Sequence, residues 1–505
     1  MSEQLVLILP ELALTGGLCL LLLVDLVFPR RRSWETGIFA LGVLGVVAYL
    51  LLQRYHAGPH DAFGGLLRLD RFAAIFQLAI TGAAGFALFL NLQQFRFPQD
   101  RGRIETQFLF LCATLGGFVL VGTQHLMMLY LGLEMLGLCS YALADVHKRD
   151  RAGAEAGMKY VVYGALSSGV MLYGISLLFG LGGASFAMPD VALGINQALL
   201  EGEGVRVLLP TLLLLAGFLF KLALVPFHWW APDVYQGTTT AIAGYLAVGS
   251  KLVALGALLR CFAILFATTL HGIEGDPALL AVTTAASEFG ASFGMVLAVL
   301  AAVSMLWGNL AALGQTHLRR LLAYSSIGHA GYLLAAVSLM SADGLAAAGT
   351  YALVYAVASL GAFAAVFGIA MRAGSEDLRD WTGLGWKYPL ASGALVLFFA
   401  SLTGLPPTAG FAGKWRLLAS LWAGGQPLLA LLLALLSVVS LFYYFRVIKQ
   451  LYLERPAEDF RPAIERPLPW LAAFLLVVGA ATLALLNLGW VDTPIAAATA
   501  DLIRG

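Results

Sequence analysis

Long apolar runs, broken by short polar segments or by glycine and proline, repeat along this chain from one end to the other. A helix needs about 20 apolar residues to cross the hydrocarbon core of a bilayer. Fourteen stretches meet or approach that length, at 5–28, 36–53, 72–92, 106–123, 125–144, 158–182, 207–227, 241–270, 291–313, 321–341, 344–371, 389–421, 427–452 and 468–491. The pattern predicts an all-α polytopic membrane protein of about 14 transmembrane helices. The longest gaps between runs are about twenty to twenty-five residues, too short for a soluble domain with its own core, so residues 1–505 read as a single transmembrane domain. The first run has only Glu3 ahead of it and exceeds the length of a signal-peptide core, which makes it a retained first helix.

The charges between the runs follow the alternation that fourteen spans impose. Basic residues gather in cytoplasmic loops, and Arg30, Arg31, Arg32, Arg96, Arg101, Arg103, Lys148, Arg149, Arg151, Arg319, Arg320, Arg372, Arg379, Lys387, Arg455, Arg461 and Arg466 all fall on one side of such a scheme. The two longest segments on the other side carry Asp190, Glu201, Glu203, Glu274, Asp276 and Glu288 against Arg206 alone. The first set is therefore expected in the cytoplasm, and both termini outside it.

Composition narrows the function. Of 505 residues 60% are hydrophobic and 12% charged, against roughly 25% charged in soluble domains. With a net charge of +1 and no basic face, nucleic acid is excluded as a partner. Cys19, Cys112, Cys139 and Cys261 stand singly in or beside apolar runs, without metal-ligand spacing, and read as buried small hydrophobes. No metal site is expected. Neither a dinucleotide fingerprint nor a P-loop is present, so the chain is not expected to bind NADH or hydrolyse ATP.

Against this apolar background four charges call for an explanation: Glu134, Lys221, Lys251 and Lys414. Each would cost about 2.5–3.5 kcal/mol at the centre of an isolated membrane helix. Static ion pairs that lock helices together are one account, but a single acid cannot neutralise three lysines pairwise. Titrating groups are the other. Desolvation disfavours an ammonium and brings the neutral amine within reach, so a buried lysine can load and release a proton. A carboxylate at Glu134, if near Lys221, would hold that lysine charged, and its withdrawal would expel the proton. Pro226 follows Lys221 within its run, and Gly404, Pro406, Pro407, Gly410 and Gly413 precede Lys414. Non-helical backbone at membrane depth is tolerated only where protein or water satisfies it, and paired breaks in two halves of a chain point to a transport site; simple packing kinks are the alternative. Lesser candidates are Lys159, with Glu155 one turn earlier, as an inner entry or a snorkelling side chain; His228, on the Lys221 face if that helix continues; and His329, as a relay or a structural hydrogen-bonding group. Asp25, Asp145 and Arg260 lie near run ends and are expected at the interface.

The segments Leu129 to Asp145, Lys221 to Gly237 (with Pro226, Phe227, His228, Trp230, Pro232 and Asp233), Gly249 to Leu255 and Ser401 to Trp415 resemble the antiporter-like membrane subunits of respiratory complex I. The resemblance runs over nearly the whole chain, and Lys414 stands where the sister subunit M of that family carries a glutamate. It implies two inverted five-helix repeats, 106–270 and 291–452, with discontinuous seventh and twelfth helices. It also implies a water-linked axis through Glu134, Lys221, Lys251, His329 and Lys414, with Lys414 towards the exit or the next subunit. NADH, FMN, iron–sulfur clusters and quinone would belong to partner subunits and no cofactor to this chain. The implied partners are other membrane subunits, especially antiporter-like subunit M and small membrane subunits, in a bacterial cytoplasmic membrane with both termini on the periplasmic side. The function implied is proton translocation coupled to NADH oxidation and quinone reduction elsewhere in the complex. The alternatives are an Mrp-type cation/proton antiporter subunit, which shares the fold, and a non-transporting scaffold; a solute carrier finds little support.

Overall fold

The computed structural model describes residues 8–27, 33–94, 103–145, 151–266, 277–454, 469–484 and 489–504. They form the helices α1 (Leu9–Val27), α2 (Ser33–Ala57), α3 (Arg71–Gln94), α4 (Arg103–Gly122), α5 (Leu126–Ala144), α6 (Arg151–Leu181), α7 (Met188–Leu200), α8 (Gly204–Leu222), α9 (Trp230–Gly237), α10 (Thr240–Leu265), α11 (Pro277–Leu313), α12 (Leu318–Val337), α13 (Ala342–Ala373), α14 (Leu384–Lys387), α15 (Pro389–Thr403), α16 (Ala409–Ala423), α17 (Pro427–Tyr452), α18 (Pro469–Ala484) and α19 (Gly489–Arg504). A two-stranded hairpin, β1 (His60–Ala62) with β2 (Leu67–Leu69), joins α2 to α3.

Among the described residues, eleven helices are long and apolar enough to cross a membrane: α1 to α6, α8, α10, α11, α13 and α17. The rest of the fourteen expected spans are α12, whose first turn carries Arg319 and Arg320, the pair α15 and α16, and α18. The basic residues Arg30 to Arg32, Arg96, Arg101, Lys148, Arg149, Arg455, Arg461 and Arg466 and the first seven residues lie outside the described residues.

Both expected breaks are present, and both use the same device. α8 stops because Ala223 turns left-handed (φ 56°), so that the N–H groups of Ala223 and Leu224 close back on the carbonyls of Phe220 and Leu219. α15 stops at Gly404 (φ 86°), where the N–H groups of Gly404 and Leu405 close back on Ala400. Prolines follow in each case and cannot continue a helix. After the first break the Val225 N–H donates 3.0 Å to the Ser304 hydroxyl of α11, so the freed backbone is satisfied from the other half of the chain.

The halves match in detail. A lone bridge joins His125, just before α5, to Ala187, after α6, and another joins His317, just before α12, to Asp377, after α13. Between His125 and His317 the chain crosses five times, by α5, α6, α8 with α9, α10 and α11. An odd number of crossings puts the two bridges on opposite faces, as inverted repeats require. In the first half α4 and α5 approach so closely at Gly132 that a Cβ there would lie 2.7 Å from the Leu120 nitrogen; in the second, a Cβ on Gly331 would lie 2.8 Å from the Met305 nitrogen. The face with the turns at 123–125 and 338–341 is called outer below, after the charge asymmetry of the loops, and the opposite face inner.

α10 is buried along almost its entire length, packed among α3, α4, α8 and α13. Four readings of the sequence need correction. Of the four cysteines read as buried, only Cys261 is; Cys19 is exposed, and Cys112 and Cys139 are half-buried. α7 lies in a segment read as an outer loop; its 13 residues are too few to register as a span, yet Val191, Ile195, Ala198 and Leu199 bury one stripe. α19 extends beyond the last expected span, and its polar Asp492 and internal Pro494 hid it. Arg260 does not reach an interface: it is 1% exposed and donates 2.6 Å to Asp70, which also caps α3 through the Ala73 N–H at 2.7 Å. Removing one partner of a buried pair strands the other charge, at a cost of about 3–5 kcal/mol. Asp70→Ala should therefore lower the thermal unfolding midpoint in detergent by several degrees, and an unchanged midpoint would show that Arg260 finds water.

Candidate functional site

Lys221 occupies the last turn of α8, fully buried. Its ammonium lies 5.5 Å from the ring centres of both Tyr141 and Tyr160 and has no hydrogen-bond partner, an arrangement in which aromatic faces partly replace lost hydration. It sits 3.7 Å from the point a Cβ on Gly137 would occupy. Gly137 is three residues beyond Glu134, on the same face of α5, so the lysine faces the glutamate's side of α5 about one turn along. Glu134 Oε1 is also without a partner, and the two make no contact ion pair.

Pro226 lies in the connection after α8, and the break removes His228 from the Lys221 face on which a continuous helix would have placed it. The imidazole is 2% exposed, 4.5 Å from the Trp229 ring and 5.5 Å from that of Trp307, and neither nitrogen is bonded.

Lys251 projects from the middle of α10 to α12, donating 2.9 Å to the Ser326 hydroxyl and 3.3 Å to its carbonyl. Leu222, Lys251, Ser326 and Tyr355 border a cavity with about 10 Å³ open to the centre of a water molecule, close to the least volume that holds one water. This cavity lies where α8, just beyond Lys221, meets the Lys251 group. One turn along α12 from Ser326 stands His329, 1% exposed, with Nδ1 2.7 Å from the Tyr351 hydroxyl and Nε2 unbonded. Its ring packs against Tyr332 and Tyr355, at 5.3 and 4.9 Å. Tyr332 passes the contact on, since the Lys414 ammonium lies 4.9 Å from its ring centre. Lys414 is 4% exposed and donates 3.0 Å to the Thr403 carbonyl, at the end of α15 just before the break that holds Pro406 and Pro407. The break thus frees the oxygen that the lysine takes.

Three of the expected groups are therefore linked through shared neighbours, Lys251 and His329 by Ser326 and Tyr355, and His329 and Lys414 by Tyr332. Lys221 has its ammonium on Tyr141 and Tyr160, and only its neighbour Leu222 borders the cavity. Lys159 lies apart on the inner face, bonded 2.8 Å to Glu155 and 2.7 Å to Asp233, while Asp233 also accepts 2.6 Å from Arg320 of α12. Sequence reasoning missed Asp233 as a bridge between halves, and missed Ser326 and the tyrosines 141, 160, 332, 351 and 355. Their spacing was a usable signal, since Tyr141 is seven residues from Glu134 and Ser326 three from His329, both helical repeats of one face.

The family model described as "NADH:quinone oxidoreductase/Mrp antiporter, TM" matches residues 123–285 and 263–440. NADH-quinone oxidoreductase subunit N of an Anaeromyxobacter species is 37% identical over 98% of this chain and 96% of that protein. The chain belongs to the subunit N family of NADH-quinone oxidoreductase. Another member, subunit N 2 of Chloroherpeton thalassium, is 37% identical over 89% of this chain and 85% of its own length. Among solved structures, a chain of respiratory complex I from Thermus thermophilus superposes with a TM-score of 0.74 at 31% identity, covering 96% of this chain and 98% of that one. A chain of the Mrp complex from a Dietzia species reaches 0.84 at 22% identity over 100% of this chain and 98% of that one, which shows the shared antiporter-like fold. Like those subunit N relatives, this is a multi-pass membrane protein.

Proposed function

We propose that this chain translocates protons as a membrane subunit of NADH:quinone oxidoreductase, through Glu134, Lys221, Lys251, His329 and Lys414, while partner subunits hold NADH, FMN, iron–sulfur clusters and quinone. The observation that carries the reading is the set of partners the three lysines have. Two are bonded only to neutral oxygens and the third to none, with no carboxylate in contact. Ionisable groups at such depth pair with one another or with backbone carbonyls; with no acid in contact to hold them charged, these three are free in this reading to alternate between charged and neutral. The gradient to be overcome is about 2.3 kcal/mol per charge per 100 mV, within reach of one lysine whose neighbouring carboxylate is engaged or withdrawn.

In this reading the repeats, 106–270 and 291–452, each carry half of the route. Lys159 with Glu155 and Asp233 marks an inner entry, His228 supports the first break, and Pro226, Pro406 and Pro407 keep both breaks open. The inner face is cytoplasmic and the termini periplasmic, in a bacterial inner membrane. The neighbours are antiporter-like subunit M and small membrane subunits, and this chain carries no cofactor of its own.

The test is Glu134→Gln in the assembled complex, in vesicles whose acidification is followed during NADH oxidation. Pumping should fall at least fivefold while the subunits still co-purify. Full pumping would defeat the route, and loss of assembly with normal pumping in whatever assembles would favour a scaffold. Acidification that requires sodium, with cation-antiporter partners in the purified material, would favour an Mrp-type subunit.

A further inference from the structure

On α16, two residues farther from the break than Lys414 and towards the outer face, stands Arg416. Each nitrogen of its guanidinium donates one hydrogen bond. Nη2 and Nη1 donate 2.6 and 3.1 Å to the two carboxylate oxygens of Asp343, in the first turn of α13, and Nε donates 3.1 Å to Asp492 on α19. Asp492 is itself fixed, accepting 2.9 Å from the hydroxyl of Thr350, which is fully buried on α13 next to Tyr351, the partner of His329. Two helices, α13 and α19, thus spend polar groups on holding one cation of α16 at a level just outward of Lys414. α19 then runs as a strap across the outer ends of α13, α10 and α3. Ile495 sits 3.0 Å from the Cβ position of Gly349, and Asp501 lies 3.9 Å from Arg71 at the start of α3.

An arginine held in this way differs from the lysines in one respect. It stays charged at every accessible pH, so it cannot hand on a proton, and its fixed charge repels one arriving from Lys414. Pores that exclude protons use the same device. The first half carries a counterpart: nine residues, or about 13 Å of helix, outward of Lys251 on α10 is Arg260, held by Asp70.

We propose that Arg416, clamped by Asp343 and Asp492, is a positioning residue that seals the outer side of Lys414 against proton escape, with α19 as the strap that keeps the seal closed. The proposal rests on the reading of Lys414 as a proton carrier. It gives the strap helix a role in coupling: protons that reach Lys414 stay in the line until the seal opens.

The experiment compares Arg416→Gln, Arg416→Lys, Asp492→Asn, Lys414→Ala and Lys414→Ala/Arg416→Gln with the unaltered complex, in sealed membrane vesicles. Three quantities are read: NADH oxidation, steady-state acidification, and passive proton leak after an imposed pH step without NADH. Arg416→Gln should keep NADH oxidation within about twofold, raise the passive leak severalfold and cut acidification severalfold. Arg416→Lys, which keeps a cation between the two carboxylates but one able to release its proton, should leak less than Arg416→Gln and more than the unaltered complex. Asp492→Asn should give a smaller leak, since Asp343 remains, and it becomes the deciding variant if Arg416→Gln does not assemble. The double variant should not leak, because the carrier is gone. An assembled Arg416→Gln complex, or failing that Asp492→Asn, with normal leak and normal acidification overturns the proposal. A leak that persists in the double variant also overturns it, since the protons then bypass Lys414. Failure of the underlying function is distinguishable, because it would show as full pumping in Lys414→Ala alone.

Discussion

Lys221→Ala should reduce NADH-driven proton pumping at least tenfold while the complex still assembles. The side chain is wholly buried, its ammonium rests on two tyrosine rings, and no hydrogen bond ties it to the fold. Truncation therefore removes a charge that was already unpaired and leaves a space lined by aromatics, a change the fold can absorb. The informative companion is Lys221→Arg. It keeps the cation and its ring contacts, but a guanidinium does not release its proton under working conditions. If the lysine acts by titrating, both variants fail alike. If it only supplies positive charge near Glu134, Arg keeps most of the activity and Ala loses it. Acidification of vesicles, normalised to NADH oxidation, separates the outcomes, and full pumping in the Ala variant would remove Lys221 from the route altogether.

Gly410→Val should prevent stable assembly. Gly410 opens α16 where it crosses the end of α15: its N–H donates 3.1 Å to the Ser401 hydroxyl, and a Cβ added there would overlap the Ser401 carbonyl. That oxygen belongs to backbone and cannot rotate away as a side chain would. The two halves of the broken helix would have to separate, pulling Lys414 from the Thr403 carbonyl and leaving buried polar groups unpaired at about 1–3 kcal/mol each. The amount of subunit in the membrane should fall severalfold, with a lower unfolding midpoint in whatever remains. Normal amounts with normal stability would mean that the break tolerates being opened.

The spans were legible because crossing a bilayer imposes a length and a composition that few other demands imitate, and the four charges within them stood out for the same reason. The broken helices showed as proline and glycine beside lysine, although the residue that ends α8 is Ala223, which nothing in the sequence marks as left-handed. The partners of the charges were not legible. A tyrosine in an apolar helix is commonplace, so Tyr141, Tyr160 and Tyr332 gained meaning only when folding set them against lysines. Arg260 was misread because it stands near the end of its run; its partner Asp70 is 190 residues away, beyond the reach of any local pattern. α7 and α19 escaped because neither is long or apolar enough to announce a crossing.

α10 has almost no side facing away from protein, and this bears on how the molecule is made. A helix with one free side can dock late against a finished surface; α10 has no side from which to dock. The helices around it come from both directions in the chain, α3, α4 and α8 earlier, α13 and finally α19 later. Its enclosure is completed only once α19, more than 200 residues later in the chain, has been made. Until then a helix carrying a lysine at its middle waits in the membrane with part of its wall missing, so the first half of the chain is an intermediate in construction and not a finished module.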